Sequence, residues 1–437
     1  MPIFKFSCSA QPFFYPFIGI SPFFLPFRKF FSLHTAHDAG VGWRRLRVGL
    51  KVLWLVLPVV VTLVKHALGP SAYNNFLIYA GVFRHVVACT DLYAFYPSEH
   101  LYQNHYGPSF SLLIAPFALL PRVLGMVCWG LANALSLGYA ILRLPMTERA
   151  RLTVAAIVLV EMTGAIQNQQ FNPMLTAWML LAFVWMAEGR AFAAALLIAG
   201  GALVKLYGIL GVLFIPFRGR YRGMAVALAG ATVLLVCLPM LYSDPEFILR
   251  SYGDWYLRIL GKNSENIRTN LTDGMQDLSA MGLVRRVSGW TGMSNLWVIV
   301  PGGLLTLAPL WRRGMYDDAR YRLTYLAQVL IGIVIFSTSS ESPTYVIAVT
   351  GFAIWYAGLA SPSPAQVALL VLLVVLTILS PTDLFPRSIK KAWVNRYALK
   401  ALPCVLAWLA ITRDLLWRLR PVTETPAHVA PGAAARA

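Results

Sequence analysis

Apolar residues run along most of the chain in stretches separated by short polar or basic connectors. Twelve of these stretches are predicted as membrane-spanning helices: roughly 48–66, 122–142, 152–167, 171–187, 191–204, 206–217, 224–242, 294–311, 323–338, 343–360, 364–380 and 397–416. A helical span takes about 20 mostly apolar residues. The run from Pro108 to Pro121 is apolar but only 14 residues long, which suits a re-entrant or interfacial helix. Residues 191–217 read as two short helices meeting at Lys205. Gly200, Gly201, Gly208, Gly211 and Pro216 weaken a single continuous helix there. Three polar stretches remain, at 68–107, about 243–293 and 381–396, and are read as loops on one side of the bundle.

Composition agrees with this pattern. The 437 residues are 58% hydrophobic and 13% charged, with mean hydropathy +0.63. A soluble domain carries about 25% charged residues. The fold class is therefore an all-α polytopic membrane protein of about 12 helices. Residues 43–420 are read as one membrane domain with outer loops at 68–121 and 243–293. Residues 1–42 are read as a poorly ordered extension interrupted by Pro12, Pro16, Pro22 and Pro26, and 421–437 as a disordered tail.

The net charge of +19 raises the possibility of a nucleic-acid partner. The positions of the charges point elsewhere. Arg44, Arg45, Arg47 and Lys51 precede the first span. Arg143, Arg149, Arg151, Arg190, Arg218, Arg220, Arg222, Arg312, Arg313, Arg320, Arg322, Arg413, Arg418 and Arg420 then fall in alternate connectors. That is the positive-inside bias of membrane loops. It places the N-terminus and these connectors inside, and it implies membrane lipids rather than nucleic acid as partners. The five cysteines, at 8, 89, 128, 237 and 404, show no metal or redox spacing, and their odd number prevents complete internal pairing. No G-x-x-x-x-G-K-[ST] cradle is present, which argues against an ATP-driven pump.

Several polar residues stand out against this background. Lys205 lies among glycines and apolar residues in AGGALVKLYGILG. A cation at membrane depth costs about 2.5–3.5 kcal/mol on insertion scales. It therefore finds an anion such as a lipid phosphate, or it snorkels to the interface. Gln167-Asn168-Gln169-Gln170-Phe171-Asn172-Pro173 forms a tight amide-rich connector at the same level. Its amides suit sugar hydroxyls, or simply helix capping and a turn. Glu161 lies one to two turns below and is a candidate partner for a cation such as Lys205.

The stretch 68–107 contains six tyrosines, the histidines His85, His100 and His105, the acids Asp91 and Glu99, and a single basic residue, Arg84. A carboxylate in a dry site deprotonates a hydroxyl nucleophile, although a loop acid is more commonly solvated. The second long stretch carries Arg258, Lys262, Arg268, Asp273 and Asp277 among Tyr252, Trp255 and Tyr256. This mixture suits lipid heads, sugar rings or an interfacial amphipathic helix.

In sequence order, a series of short motifs resembles one family. It runs Asn75-Phe76-x-Ile78-Tyr79, Asp91-Leu92-Tyr93, then Tyr106-Gly107-Pro108 leading into LLIAPFALLP. Gln169-x-x-Asn172 follows, before a span ending at Gly189-Arg190, then Ala202-Leu203-Val204-Lys205 and Asn270-Leu271. Across about residues 50–360 the chain resembles the polyprenyl-phosphate-mannose-dependent glycosyltransferases of family 87, integral membrane enzymes with a GT-C fold. The resemblance implies an inverting hexosyltransferase. Its donor would be a polyprenyl-phosphate sugar, mannose among the candidates, and its acceptor an extracytoplasmic glycan or glycolipid. It implies neither a cofactor nor an obligatory metal. The expected location is a bacterial inner membrane, with the site facing the periplasm or exterior.

The family resemblance also implies an acid in the first outer loop as general base. The matching position holds Asn75, whose amide cannot take a proton. Either Asp91 or Glu99 serves, the base lies elsewhere, or the activity has been lost. The late segment Ser339-Ser340-Glu341-Ser342-Pro343-Thr344-Tyr345 departs from the family pattern and offers Glu341 as a further acid. Lys205, Gln169, Asn172, Tyr106, His105 and Glu341 are the expected substrate-binding residues. Transfer builds negative charge on the departing phosphate, where a preorganised cation such as Lys205 lowers the barrier. A transporter or flippase, or a polymerase of lipid-linked sugars, remains the alternative reading.

Overall fold

The computed structural model describes residues 41–269 and 276–420; the extension before residue 41, Asn270, Leu271, Asp273 and the tail lie outside them. Among the described residues the chain is helical and has no strand. The longer helices are α1 (Val41–Ala67), α2 (Asn74–Ala88), α3 (Phe110–Ala118), α4 (Arg122–Arg143) and α5 (Glu148–Gln167). Next come α6 (Asn172–Ala187), α7 (Ala191–Val204), α8 (Tyr221–Cys237) and α9 (Pro245–Thr269). The series closes with α10 (Ala280–Ser288), α11 (Leu296–Leu307), α12 (Ala319–Ile335), α13 (Tyr345–Ala357), α14 (Pro364–Leu372) and α15 (Leu402–Arg413).

Every predicted span coincides with a helical segment. Among the described residues, four helices are long and apolar enough to cross a membrane: Arg44–Ala67, Arg122–Arg143, Glu148–Gln167 and Tyr221–Leu241. The other apolar helices are shorter. Of these, α12 and α13 pack together at the centre, and residues such as Tyr325, Leu330, Tyr345 and Phe352 are fully buried. Periodicity alone does not separate a buried core helix from a lipid-facing one, since both are apolar all round.

The two long stretches read as loops are corrected. The first contains α2, whose Phe76, Tyr79, Ala80 and Val86 recur at helical spacing and are buried. Its asparagines, tyrosines and histidines made it look like a loop. The second contains α9 and α10. Helix α9 is amphipathic: Ile248 and Trp255 pack inward, while Leu249, Tyr256, Leu257 and Leu260 are exposed. The short helix expected between Pro108 and Pro121 is α3.

The chain breaks at Lys205, as expected, and its backbone there is extended (φ −151°, ψ 105°). Residues Leu206–Phe217 then return alongside α7 as a tighter helix. Gly208 makes this return possible, because a Cβ there would overlap the backbone of Gly201.

The basic connectors gather at one end of the bundle. Arg47 pairs with Glu148 (2.9 Å), Arg143 pairs with Glu188, and Arg218 donates to the Ala187 carbonyl (3.1 Å). Arg312 reaches the Leu419 carbonyl (2.7 Å) in the final turn. Asp318 caps α12 at the same end, its Oδ1 accepting from the Tyr321 N–H (2.9 Å). With helices alternating in direction, Asn172, Lys205 and Tyr345 fall at the opposite end.

Candidate functional site

Lys205 anchors the arrangement at that opposite end. Its Nζ donates to Asn172 Oδ1 at 2.9 Å and lies 5.2 Å from the Tyr207 ring centre. Asn172 is the first residue of α6, and its Nδ2 donates to the Pro343 carbonyl at 3.1 Å. One neutral amide thus joins the broken α7 segment to the turn before α13. Tyr207 shares a hydrogen bond with Ser337 (2.8 Å) at the end of α12.

The turn that carries Glu341 is held from several directions. The Leu278 N–H donates to the Ser340 carbonyl (2.9 Å), and Tyr345 Oη donates to the Leu278 carbonyl (2.6 Å). Gln276 Nε2 donates to Glu341 Oε1 at 2.8 Å. Lys400 donates to Ser342 Oγ at 3.0 Å. The Glu341 carboxylate lies within electrostatic reach of Lys205, Tyr79, Tyr106 and Tyr207.

The segment 104–107 packs between α2, α9 and the end of α7. Tyr106 and Tyr79 share a hydrogen bond at 2.9 Å, and Tyr106 stacks on Phe110. Burial pushes the Tyr106 phenol above its usual range, so it stays protonated. The Trp255 indole donates to the His105 carbonyl at 3.0 Å. Burial, with Lys262, Arg258 and Lys205 nearby, pushes the His105 imidazole down to about 3, leaving it neutral at physiological pH. Gly107 fits against the end of α7, where a Cβ would overlap the Leu203 carbonyl oxygen.

Beside Tyr207 opens a cleft of about 770 Å³. Leu210, Met293, Ile299, Ile333 and Phe336 line it together with the polar side chains of Thr291, Ser294, Asn295, Ser337 and Thr338. The cleft is therefore mixed in character, and Tyr207, the ring beside Lys205, forms part of its wall.

The structure brings together Lys205, Asn172, Tyr106, His105 and Glu341. It places the other expected residues elsewhere. Gln169 is 0% exposed; its Nε2 faces Thr62 Oγ1 (3.4 Å) and the Ile166 carbonyl (3.2 Å), and its own carbonyl accepts from Trp129. It locks α5 and α6 onto α1 and α4. Asn75 donates to the Asn168 carbonyl at 2.8 Å, tying α2 to the amide-rich connector. Asp91 is exposed, and its Oδ1 accepts from the Tyr93 N–H (2.8 Å) within its own turn. Glu99 pairs with Arg84 (2.8 Å) and His85 (3.2 Å). Burial works against the Glu99 charge, yet the hydrogen bonds and charges of those two partners hold its carboxyl below the usual range.

Glu161 corrects a second expectation. Its partner is Lys400, not Lys205: the ion pair measures 2.8 Å, and the two side chains are 4% and 3% exposed. Lys400 also donates to the Thr377 carbonyl (2.8 Å). It is a lone lysine in the last apolar run, the same signal that marked Lys205, and reading that run only as a span passed over it. Gln276 carries no comparable signal, because an amide in a polar stretch is ordinary. Asp277 pairs with Arg285 (2.6 Å) and fixes the α10 segment beside the site.

The fold is that of an integral membrane protein of helices, with Lys205 hydrogen-bonded to Asn172 at one end. The chain belongs to glycosyltransferase family 87, whose sequence profile matches residues 104–340, more than half of its length. Among solved structures, ArnT from Cupriavidus metallidurans bound to undecaprenyl phosphate is similar over 87% of this chain and 79% of that one. The identity is 16% and the TM-score 0.37. No curated protein matches the chain.

Proposed function

We propose that this glycosyltransferase moves a hexose, with mannose the first candidate, from a polyprenyl-phosphate donor to a hydroxyl of a glycan or glycolipid acceptor, with inversion. Residues 43–420 then form one membrane domain of about twelve spans. The basic connectors face the cytoplasm, and the Lys205 pocket faces the periplasm or exterior of a bacterial inner membrane. One observation carries the reading: Lys205 is fixed by Asn172 at a helix break, over the Tyr207 ring that walls a cleft with both apolar and polar lining. A phosphate bearing a long apolar chain matches both halves of that arrangement. Lys205 offsets charge on the leaving phosphate. Tyr106 and neutral His105 present hydrogen-bonding groups to the sugar without competing for that charge.

The test uses purified protein in detergent with polyprenyl-phosphate mannose and an acceptor glycan, other prenyl-phosphate hexoses being run in parallel. Donor consumption with a new glycosidic bond supports transfer. Activity confined to sealed vesicles, with no donor consumed in detergent, establishes transport instead. Gly107→Ala gives a geometric check. Its added methyl displaces the Tyr106 segment from α7, and a shift of about 1 Å at a reacting centre costs about 10²-fold in rate. Transfer is expected to fall by that order, while donor-independent thermal stability moves far less. An unaffected rate removes the 104–107 segment from the site.

A further inference from the structure

We propose that Glu341 is the general base that deprotonates the acceptor hydroxyl. The inference rests on the transferase reading above and assigns the step that reading leaves open. Glu341 lies one residue beyond the segment matched by the family profile.

The position where the family resemblance leads one to expect an acid holds Asn75, whose amide is engaged with the Asn168 carbonyl. Asp91 is exposed and closes its own turn. Glu99 is clamped between Arg84 and His85, Glu161 is buried against Lys400, and Asp277 is buried against Arg285. A carboxylate held in an ion pair is stabilised in its charged form and accepts a proton poorly.

Glu341 differs from these. It caps its own turn at Thr344, as Asp91 closes its own, but among the described residues it makes no ion pair, and the side chain that donates to it is the neutral amide of Gln276, from a distant segment. The turn that carries it is held on both sides: the Leu278 N–H on the Ser340 carbonyl, Lys400 on the Ser342 hydroxyl and Asn172 on the Pro343 carbonyl. The Asn172 side chain that receives Lys205 also grips the carbonyl two residues after Glu341. Base and cation therefore share one rigid frame. They stand within electrostatic reach, and neither donates to nor accepts from the other directly. Inverting chemistry needs base and cation apart, because nucleophile and leaving group occupy opposite faces of the anomeric carbon.

The step balances. The acceptor oxygen forms a bond to the anomeric carbon as the bond from that carbon to the phosphate oxygen breaks. The bonding pair leaves with the polyprenyl phosphate beside Lys205. The acceptor proton passes to the Glu341 carboxylate and later to water.

Glu341→Gln tests the assignment in the full chain, with polyprenyl-phosphate mannose as donor. Transfer to the acceptor alcohol is expected to fall about 10²–10⁴-fold, with donor affinity unchanged. Added azide, an anionic nucleophile with no proton to lose, should restore donor cleavage in the variant and yield an inverted glycosyl azide. A wild-type rate in Glu341→Gln overturns the proposal, as does a loss that includes donor binding and resists azide. If the wild-type protein itself consumes no prenyl-phosphate hexose, the transferase reading fails. If it does and Glu341→Gln matches it, only the base assignment fails.

Discussion

Lys205→Met is expected to slow transfer about 10²–10³-fold, equivalent to about 2.7–4 kcal/mol of lost transition-state stabilisation, without destabilising the fold. The two halves of this expectation have separate causes. In the resting protein the hydrogen-bond partner of Nζ is the neutral oxygen of Asn172. A buried cation held by an amide has lost its water without gaining a contacting counter-charge, and Glu341 interacts with it only at a distance. Methionine keeps much of the volume and removes the desolvation cost. It leaves Asn172 Oδ1 without its donor, a loss of about 1–3 kcal/mol that offsets part of the gain. Rate and stability therefore separate, as expected for a group retained for function. Steady-state kinetics with a prenyl-phosphate donor, set beside thermal unfolding in detergent, measure both. A melting temperature that falls in step with activity makes Lys205 a structural residue and removes the leaving-group assignment.

Much of the fold is legible in the hydrophobic pattern, for a physical reason. Apolar runs bounded by arginines give each helix and its direction, and the break at Lys205 follows from glycines on both sides. What the pattern does not encode is which polar groups meet. Lys205 and Asn172 were each visible as anomalies, one a cation in an apolar run and the other an amide beside a proline. Their contact depends on α7 and α6 ending at the same level. Asp91 and Glu99 were attractive because acids in a tyrosine-rich stretch suggest catalysis. Their local partners, the Tyr93 N–H and the Arg84–His85 pair, engage them within their own segment. Such short-range satisfaction leaves no mark that distinguishes it from an open site. Glu341 is visible as an acid in a serine-rich turn, but its sequence neighbours do not reveal that Gln276 holds its carboxylate or that Lys400 holds the adjacent Ser342 from distant parts of the chain.

Lys400→Met is expected to produce the largest loss of stability, about 3–5 kcal/mol, because it leaves Glu161 buried without its cation. The pair joins α5 to the start of α15 across the bundle, and its two members are almost fully enclosed. Lys400 also holds the Thr377 carbonyl and Ser342 Oγ, so one substitution removes three hydrogen bonds. Pairing it with Glu161→Gln separates charge from packing. If the cost is the uncompensated carboxylate, the double variant recovers most of the loss, since an apolar or neutral replacement of both partners is often nearly neutral. The coupling read from this double-mutant cycle should exceed that of distant pairs, which add within about 0.3–0.5 kcal/mol. Activity should behave differently. Ser342 remains without its Lys400 contact in the double variant, so the turn carrying Glu341 stays loosened and transfer stays low even as stability returns. Unfolding in detergent and donor turnover on the same preparations read the two effects. Additive stability losses show that the pair does not act as a unit. Full recovery of turnover in the double variant shows that Lys400 does not position the Glu341 turn.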